Sequence, residues 1–212
     1  NAHPFVRELW GRYWVFAHNG DLKDYAPTLH GNFRPVGDTD SELAFCWLMQ
    51  ELVKSHAGVP SVAELSLTLQ DLVPQIAAHG TFNFLLSNGQ ALWAHASTKL
   101  HYLVREHPFT EVHLRDEDIK MDLSEHNGPE DRLAIVVTEP LTTNEAWTAL
   151  EPGQFITFVK GCPQPRVDLA RVARGWRAAA GAWRARRGCL GVVAATLFAG
   201  SSATLSAADV TS

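Results

Sequence analysis

Hydrophobic and polar positions recur with two different periods along the chain, and these periods predict its strands and helices. The stretch RYWVFA at Arg12–Ala17 is rich in aromatic and β-branched residues, which is typical of a β-strand. The stretches Asp38–His56 and Ser61–Gly80 carry apolar residues three and four positions apart, which predicts two amphipathic helices. Pro74 lies inside the second helix and is expected to kink it.

Capping residues mark where both predicted helices begin. Asp38 or Thr39 can cap the first helix, because each offers a side-chain oxygen to an unpaired backbone N–H group. Ser61 and Glu64 have the spacing of a capping box at the start of the second helix. Gly80 is expected to end that helix.

A run of short apolar segments follows the helices and predicts antiparallel strands. A turn at Asn88–Gln90 joins the first two as a hairpin, and the acidic stretch 115–131 is expected to be a solvated loop. The predicted strands are Thr81–Ser87, Ala91–Ser97, His101–Glu106, Asp131–Thr138 and Gly153–Val159. This order predicts an α+β fold in which helices pack on antiparallel sheets.

Charge divides the chain near residue 160. Residues 1–160 contain 11 Lys and Arg against 21 Asp and Glu, whereas residues 161–187 contain seven arginines and one acidic residue. We therefore expect a domain over 1–160 and a basic, Arg- and Ala-rich linker over 161–187. The apolar stretch 188–212 has the order of a signal peptide at the wrong end of the chain, or of a membrane anchor. The acidic balance of the first part argues against nucleic acid as the main partner.

The chain contains three cysteines, Cys46, Cys162 and Cys189, and they show no paired spacing. This pattern favours a reducing compartment without a disulfide framework, and we expect a cytoplasmic protein. Contact with a membrane is expected only if the apolar tail is a genuine anchor. Neither a metal site nor a cofactor is predicted, and the oligomeric state stays open.

A His-Asn-Gly tripeptide ends the first predicted strand at residues 18–20. Asn-Gly is a strong hairpin signal, so a plain turn is one interpretation. The other is a binding site, because glycine lets the backbone approach a ligand closely and asparagine offers an amide donor. The local sequence leaves both interpretations open.

Three motifs follow one another at the start of the chain: Asn-Ala-His-Pro, His-Asn-Gly, and Thr-Asp-Ser-Glu at the start of the first helix. In this order they resemble the class II glutamine amidotransferases, which are N-terminal-nucleophile hydrolases. The segments HPFVRELWGRYWVFAHNG and VVTEPLTTNEAW are most similar to the stand-alone bacterial type. The resemblance covers residues 1–160 and implies part of an αββα sandwich, with antiparallel sheets and flanking helices.

The resemblance implies a reaction and a set of site residues. Family members use an N-terminal cysteine thiolate to attack the side-chain amide of glutamine or of a γ-glutamyl amide, which gives a thioester and ammonia. The Asn19 side chain and the Gly20 backbone are implied to stabilise the oxyanion, and Gly20 also to bind substrate. Asp40 is implied to hold the α-ammonium group of glutamine. His3 and His18 are further candidates for substrate contact, with a structural role as the alternative.

The nucleophile of the family has no counterpart at the first position, where this chain has Asn1. Cys46 lies inside the predicted helix and has no free amine, so it is not a substitute. We therefore expect the chain to be the C-terminal part of a catalytic domain, without glutaminase activity of its own. A second hypothesis is a non-catalytic binding or scaffold protein that retains the fold. Under the first hypothesis, the partner of the complete enzyme is glutamine or a γ-glutamyl small molecule.

Overall fold

The computed structural model describes residues 3–115, 120–125 and 127–165. Its helices are α1 (Asp40–Ser55) and α2 (Val62–Ala77), and a short 3-10 turn covers Leu123–Glu125. Nearly all of the expected basic linker and the whole apolar tail lie outside the described residues. The strands are β1 (Phe5–Leu9), β2 (Arg12–Asn19), β3 (Asn83–Ser87), β4 (Leu92–Ala96), β5 (His101–Glu106), β6 (Glu111–His113), β7 (Lys120–Asp122), β8 (Arg132–Val137), β9 (Thr148–Ala149), β10 (Gln154–Val159) and β11 (Cys162–Gln164).

The main sheet has six antiparallel strands in the order β1-β2-β3-β4-β10-β11, and the two helices pack on one of its faces. Alternation along β2 places Trp14 and Phe16 on this face, where both are fully buried. Phe16 stacks on Phe45 of α1 with ring centroids 5.1 Å apart, and Trp14 stacks on Trp93 of β4 at 5.7 Å. The core between helices and sheet is therefore largely aromatic.

The opposite face of the main sheet meets a second sheet with the order β8-β5-β9. A smaller apolar cluster fills this interface, with Ala94 and Ala96 from β4 and Leu100 and Leu150 from the loops beside the second sheet. Helices, main sheet and second sheet thus form successive layers. This arrangement confirms the predicted α+β class with antiparallel sheets and flanking helices.

Both helix starts have the predicted caps. Thr39 caps α1 and accepts a hydrogen bond from the Glu42 backbone N–H at 3.3 Å. Ser61 and Glu64 form the full capping box at the start of α2. That helix ends at Ala77 rather than at Gly80, because Gly80 forms an isolated antiparallel bridge with Leu22.

Several short strands lie where the sequence pattern predicted none. β1 pairs with β2 through a turn at Trp10 and Gly11. At the other end of β2, Asn19 pairs with Asn83 of β3, which is distant in sequence, so the Asn19-Gly20 pair closes no hairpin. The prediction that 115–131 is a loop throughout is wrong, since β7 and the 3-10 turn lie within it. β11 pairs with β10 and carries the main sheet past the boundary expected at residue 160.

Phe16→Ala is expected to lower the free energy of unfolding by about 3–5 kcal/mol, because it removes a fully buried ring that the neighbouring aromatic side chains cannot replace. Tyr13→Ala on the same strand is the matched control. The Tyr13 side chain is 74% exposed, so the loss there should not exceed about 1 kcal/mol. Urea unfolding of both variants measures the difference, and equal losses would contradict the assigned faces of β2.

Candidate active site

A cavity of about 220 Å³ lies where the end of β2 meets the second sheet. His3, His18 and Asn19 contribute polar groups to its lining, together with Asn83 of β3. Apolar side chains from both sheets form the rest of its wall, among them Ala17, Leu85 and Val136. Of the five predicted site residues, Gly20 and Asp40 are not among the described residues that line this cavity.

His18 is buried and both of its ring nitrogens are hydrogen-bonded. Nε2 lies 2.9 Å from the carbonyl oxygen of Thr81, and Nδ1 lies 2.8 Å from the Ser41 hydroxyl. A carbonyl only accepts, so Nε2 carries the proton and Nδ1 accepts from Ser41 in the neutral ring. Burial lowers the pKa of His18, although the hydrogen bond to Thr81 acts to raise it. The lowered pKa favours this neutral form. His18 therefore braces the end of β2, and a contact with substrate stays a prediction.

Gly20 follows Asn19 and packs directly on the backbone of Thr81. A Cβ atom added at Gly20 would lie 1.8 Å from the Thr81 carbonyl oxygen and 2.7 Å from His18 Nε2. The next residue continues the contact, because the Thr81 N–H donates to the Asp21 carbonyl at 3.1 Å. Only glycine fits at this position, so the turn keeps its backbone close to the strand beside it.

Asp40 is the first residue of α1 and binds the turn from the other side. Its carboxylate accepts hydrogen bonds from the backbone N–H groups of Leu22 and Ser41, each at 2.7 Å. Leu22 lies two residues after Gly20, so the helix start and the His18–Gly20 turn are held together. The structure thus gives Asp40 an anchoring role, and its role as a ligand for a substrate ammonium group stays a prediction.

Glu42 anchors a second loop to the same helix start. Its buried carboxylate accepts from the backbone N–H groups of Val36 and Gly37 at 3.0 and 2.8 Å, and from the Arg7 guanidinium at 2.6 Å. Burial would raise the pKa of Glu42, but the backbone donors and Arg7 outweigh it and lower that pKa. Sequence reasoning missed Ser41 and Glu42, although both belong to the Thr-Asp-Ser-Glu motif that it used.

The described residues contain two cysteines, and neither lines the cavity. Cys46 is fully buried on α1, where burial raises the pKa of its thiol despite the Arg7 guanidinium 3.8 Å away. Cys162 lies on β11 beside Arg132, with the sulfur 3.2 Å from the guanidinium. A thiolate nucleophile next to Asn19 is therefore absent from the described part of the chain.

No group of three or more His, Cys, Asp and Glu side chains in the described ranges could hold a metal ion. No helix in that part of the chain is long and apolar enough to cross a membrane. The apolar stretch 188–212 lies outside the described residues.

Comparison with known proteins places the chain in a family. The family description of the class II glutamine amidotransferases matches residues 1–179. The chain belongs to the class II glutamine amidotransferases. This confirms the resemblance that the three motifs indicated, and Asn19, Gly20 and Asp40 all lie within the matched range.

Individual class II relatives give the same picture. A Haemophilus influenzae protein assigned to the glutamine amidotransferases is 45% identical over 161 residues, which cover 76% of this chain and 55% of that protein. The Escherichia coli protein YafJ, assigned likewise, is 43% identical over 162 residues, or 76% of this chain and 64% of its own length. The chain thus spans between half and two thirds of these relatives. A crystal structure of a predicted glutamine amidotransferase from Pseudomonas aeruginosa superimposes with a TM-score of 0.71 at 40% identity, covering 78% of this chain and 65% of that one.

Acidification is expected to destabilise the protein partly through His18. Because the folded pKa of His18 lies below its unfolded value, the unfolded chain binds more protons as the pH falls below about 6.5, and stability falls with it. Urea unfolding between about pH 7 and pH 5 measures this slope. The slope should be smaller in His18→Gln and not zero, because burial also lowers the pKa of His56 and of His95. An unchanged slope in the variant would contradict a buried neutral His18.

Proposed function

We propose that this chain carries the oxyanion donors and the glutamine-binding carboxylate of a class II glutamine amidotransferase that acts on glutamine or a γ-glutamyl amide. The observation that supports this most directly is the state of Asn19. It lines the cavity, and its side-chain amide has no hydrogen-bond partner among the described residues. An amide donor that folding does not use is available to a developing oxyanion.

In the proposed reaction a thiolate forms a bond to the amide carbon of the substrate side chain, and the carbonyl becomes an oxyanion. The Asn19 side-chain N–H and the Gly20 backbone N–H donate to that oxygen while the charge exists. The intermediate collapses, the C–N bond breaks, and the nitrogen leaves as ammonia after taking a proton. Water then hydrolyses the thioester through a second oxyanion at the same place.

The shape and chemistry of the cavity support a substrate of this kind. Asn19 and Asn83 line it together with the apolar residues Leu85, Leu100 and Val136. A γ-glutamyl group likewise combines a polar amide with an apolar methylene stem. Asp40 holds the α-ammonium in this proposal, since a carboxylate with two backbone donors still has lone pairs for a cation.

We place the nucleophile on a segment outside the described residues, next to β8. Among the described strands β8 forms one edge of the second sheet, and it contributes Val136 and Val137 to the cavity. On the main sheet, Val6 and Val15 are 44% and 37% exposed. Val15 shares its face with Ala17, which lines the cavity. A strand added along β8 would cover these apolar groups and bring its own side chains to Asn19.

The test uses two proteins. The first is the present chain. The second, called the restored protein, is a fusion in which the part of the E. coli relative that precedes the counterpart of Asn1 is joined to Asn1. The present chain should release no ammonia from L-glutamine, whereas the restored protein should release it. Replacing the first cysteine of the restored protein by alanine should abolish this release. Equal ammonia release by the present chain and the restored protein would contradict a nucleophile outside this chain.

Asn19→Ala in the restored protein is expected to lower kcat by about 10²–10³, which is the usual cost of losing one oxyanion donor. Asp40→Ala should raise KM for glutamine, which Asn19→Ala should not, since an ammonium group is bound alike in the ground and transition states. It should also lower kcat, because the turn that carries both donors loses its bond to the helix start. Steady-state kinetics with L-glutamine separate the two effects. An unchanged kcat in Asn19→Ala would rule out the oxyanion role.

A further inference from the structure

Asn83 stands opposite Asn19 in the pairing of β3 with β2, and it is buried with only 5% of its surface exposed. Its side-chain oxygen accepts from the backbone N–H groups of Ser97 and Thr98 at 2.9 and 3.0 Å. Its side-chain nitrogen donates to the Asn19 carbonyl at 3.0 Å and to the Thr98 hydroxyl at 2.9 Å. All four hydrogen-bonding positions of the Asn83 amide are therefore used.

The orientation of the Asn83 amide follows from its partners. Two of them are backbone N–H groups, which only donate, and one is a backbone carbonyl, which only accepts. An amide rotated by about 180° would turn its nitrogen toward the two N–H groups and its oxygen toward the carbonyl. The nitrogen must therefore be the atom that contacts the Asn19 carbonyl. Asn83 thereby joins the end of β2 to the turn after β4 through a bond that the sheet ladder does not provide.

This bond lies at the end of β2, just before the backbone contacts of Asp21 with Thr81 and of Leu22 with Gly80. Asn19 is the last residue of β2, and the Asn19–Asn83 pair is the last pair of the β2–β3 ladder. Since no partner in the described residues restrains the Asn19 side chain, its position depends on its backbone. The Asn19 carbonyl belongs to the peptide unit whose N–H is that of Gly20, so a hold on this carbonyl also orients the second proposed donor.

We propose that Asn83 is a positioning residue, which fixes the Asn19–Gly20 peptide so that both oxyanion donors face one point. The catalytic consequence rests on the function proposed above, whereas the structural claim does not. Asn83 touches no reacting atom in this scheme and acts through the Asn19–Gly20 peptide.

Asn83→Asp is the sharpest variant, because it keeps the shape and the acceptor oxygen while it replaces the donating nitrogen by a second oxygen. That oxygen would face the Asn19 carbonyl, so the bond becomes a repulsion. Thr98→Val is the matched control. It removes the other acceptor of the Asn83 nitrogen and leaves the bond to Asn19 in place.

The first measurement uses the 212-residue chain and needs no activity. Backbone order parameters from ¹⁵N relaxation should be near 0.85 at Asn19 and Gly20 in the wild type and in Thr98→Val, and fall to about 0.6 or below in Asn83→Asp. Unchanged values in folded Asn83→Asp would overturn the proposal. Should that variant not fold, the wild type still decides, because the Asn83 side-chain amide protons must be protected from solvent exchange. Exchange at the rate of an exposed asparagine would overturn the proposal.

The second measurement uses the restored protein. Asn83→Asp should lower kcat about 10–100-fold with KM for glutamine changed less than about threefold, since misplaced donors weaken the transition state above all. In an Asn19→Ala background the same substitution should lower kcat by a smaller factor than in the wild type, because only the Gly20 donor is then left to misplace. An equal or larger factor there would mean that Asn83 acts independently of the Asn19 donor and would overturn the positioning role. If Asn19→Ala alone leaves kcat unchanged, the proposed function is wrong. The relaxation data still test whether Asn83 fixes the Asn19–Gly20 peptide.

Discussion

The hydrogen bond from the Leu22 backbone N–H to the Asp40 carboxylate is the constraint on which the candidate site depends. It joins the residues that follow β2 to the first turn of α1, whereas the backbone bonds of Asp21 and Lys23 join them to residues 79–81. On the other side, Gly20 lies so close to Thr81 that no side chain fits. The turn is thus held between a helix start and a neighbouring backbone, and no hydrogen bond from another described residue restrains the Asn19 side chain.

The helix start achieves this because four consecutive side chains each bind a different partner. Thr39 caps the helix itself, and Asp40 holds Leu22. Ser41 donates to His18, and Glu42 gathers two backbone N–H groups and Arg7. Most of these partners are neutral hydrogen-bond donors or acceptors, so the arrangement depends on geometry more than on net charge. A helix packed on an aromatic core is a rigid base for such bonds, and rigidity is what an oxyanion site requires.

Local sequence signals predicted the elements that local physics determines. Periodicity located α1 and α2, and the capping residues Thr39 and Ser61 marked their starts correctly. β1 was not predicted because its five residues, FVREL, form a short segment with two adjacent charged residues, so only pairing with β2 makes them a strand.

The site was predicted only in part, for a related reason. The three motifs and the family resemblance singled out Asn19, Gly20 and Asp40. The bonds of Ser41 to His18 and of Asn83 to Asn19 cross 23 and 64 positions of the chain, and no periodicity or spacing rule connects residues so far apart. The local sequence could not decide whether the Asn-Gly pair closes a hairpin for the same reason. The chain after it pairs with a distant segment, through the bridge of Leu22 to Gly80.

Hydrogen exchange at the Leu22 backbone amide tests most directly whether the start of α1 fixes the His18–Gly20 turn. In the wild type this N–H should be protected, because it donates to Asp40. The protection should be lost in Asp40→Ala and kept in Asp38→Ala, which removes an exposed acid just before the helix. A Leu22 amide that exchanges in the wild type as fast as it does in Asp40→Ala would contradict the account.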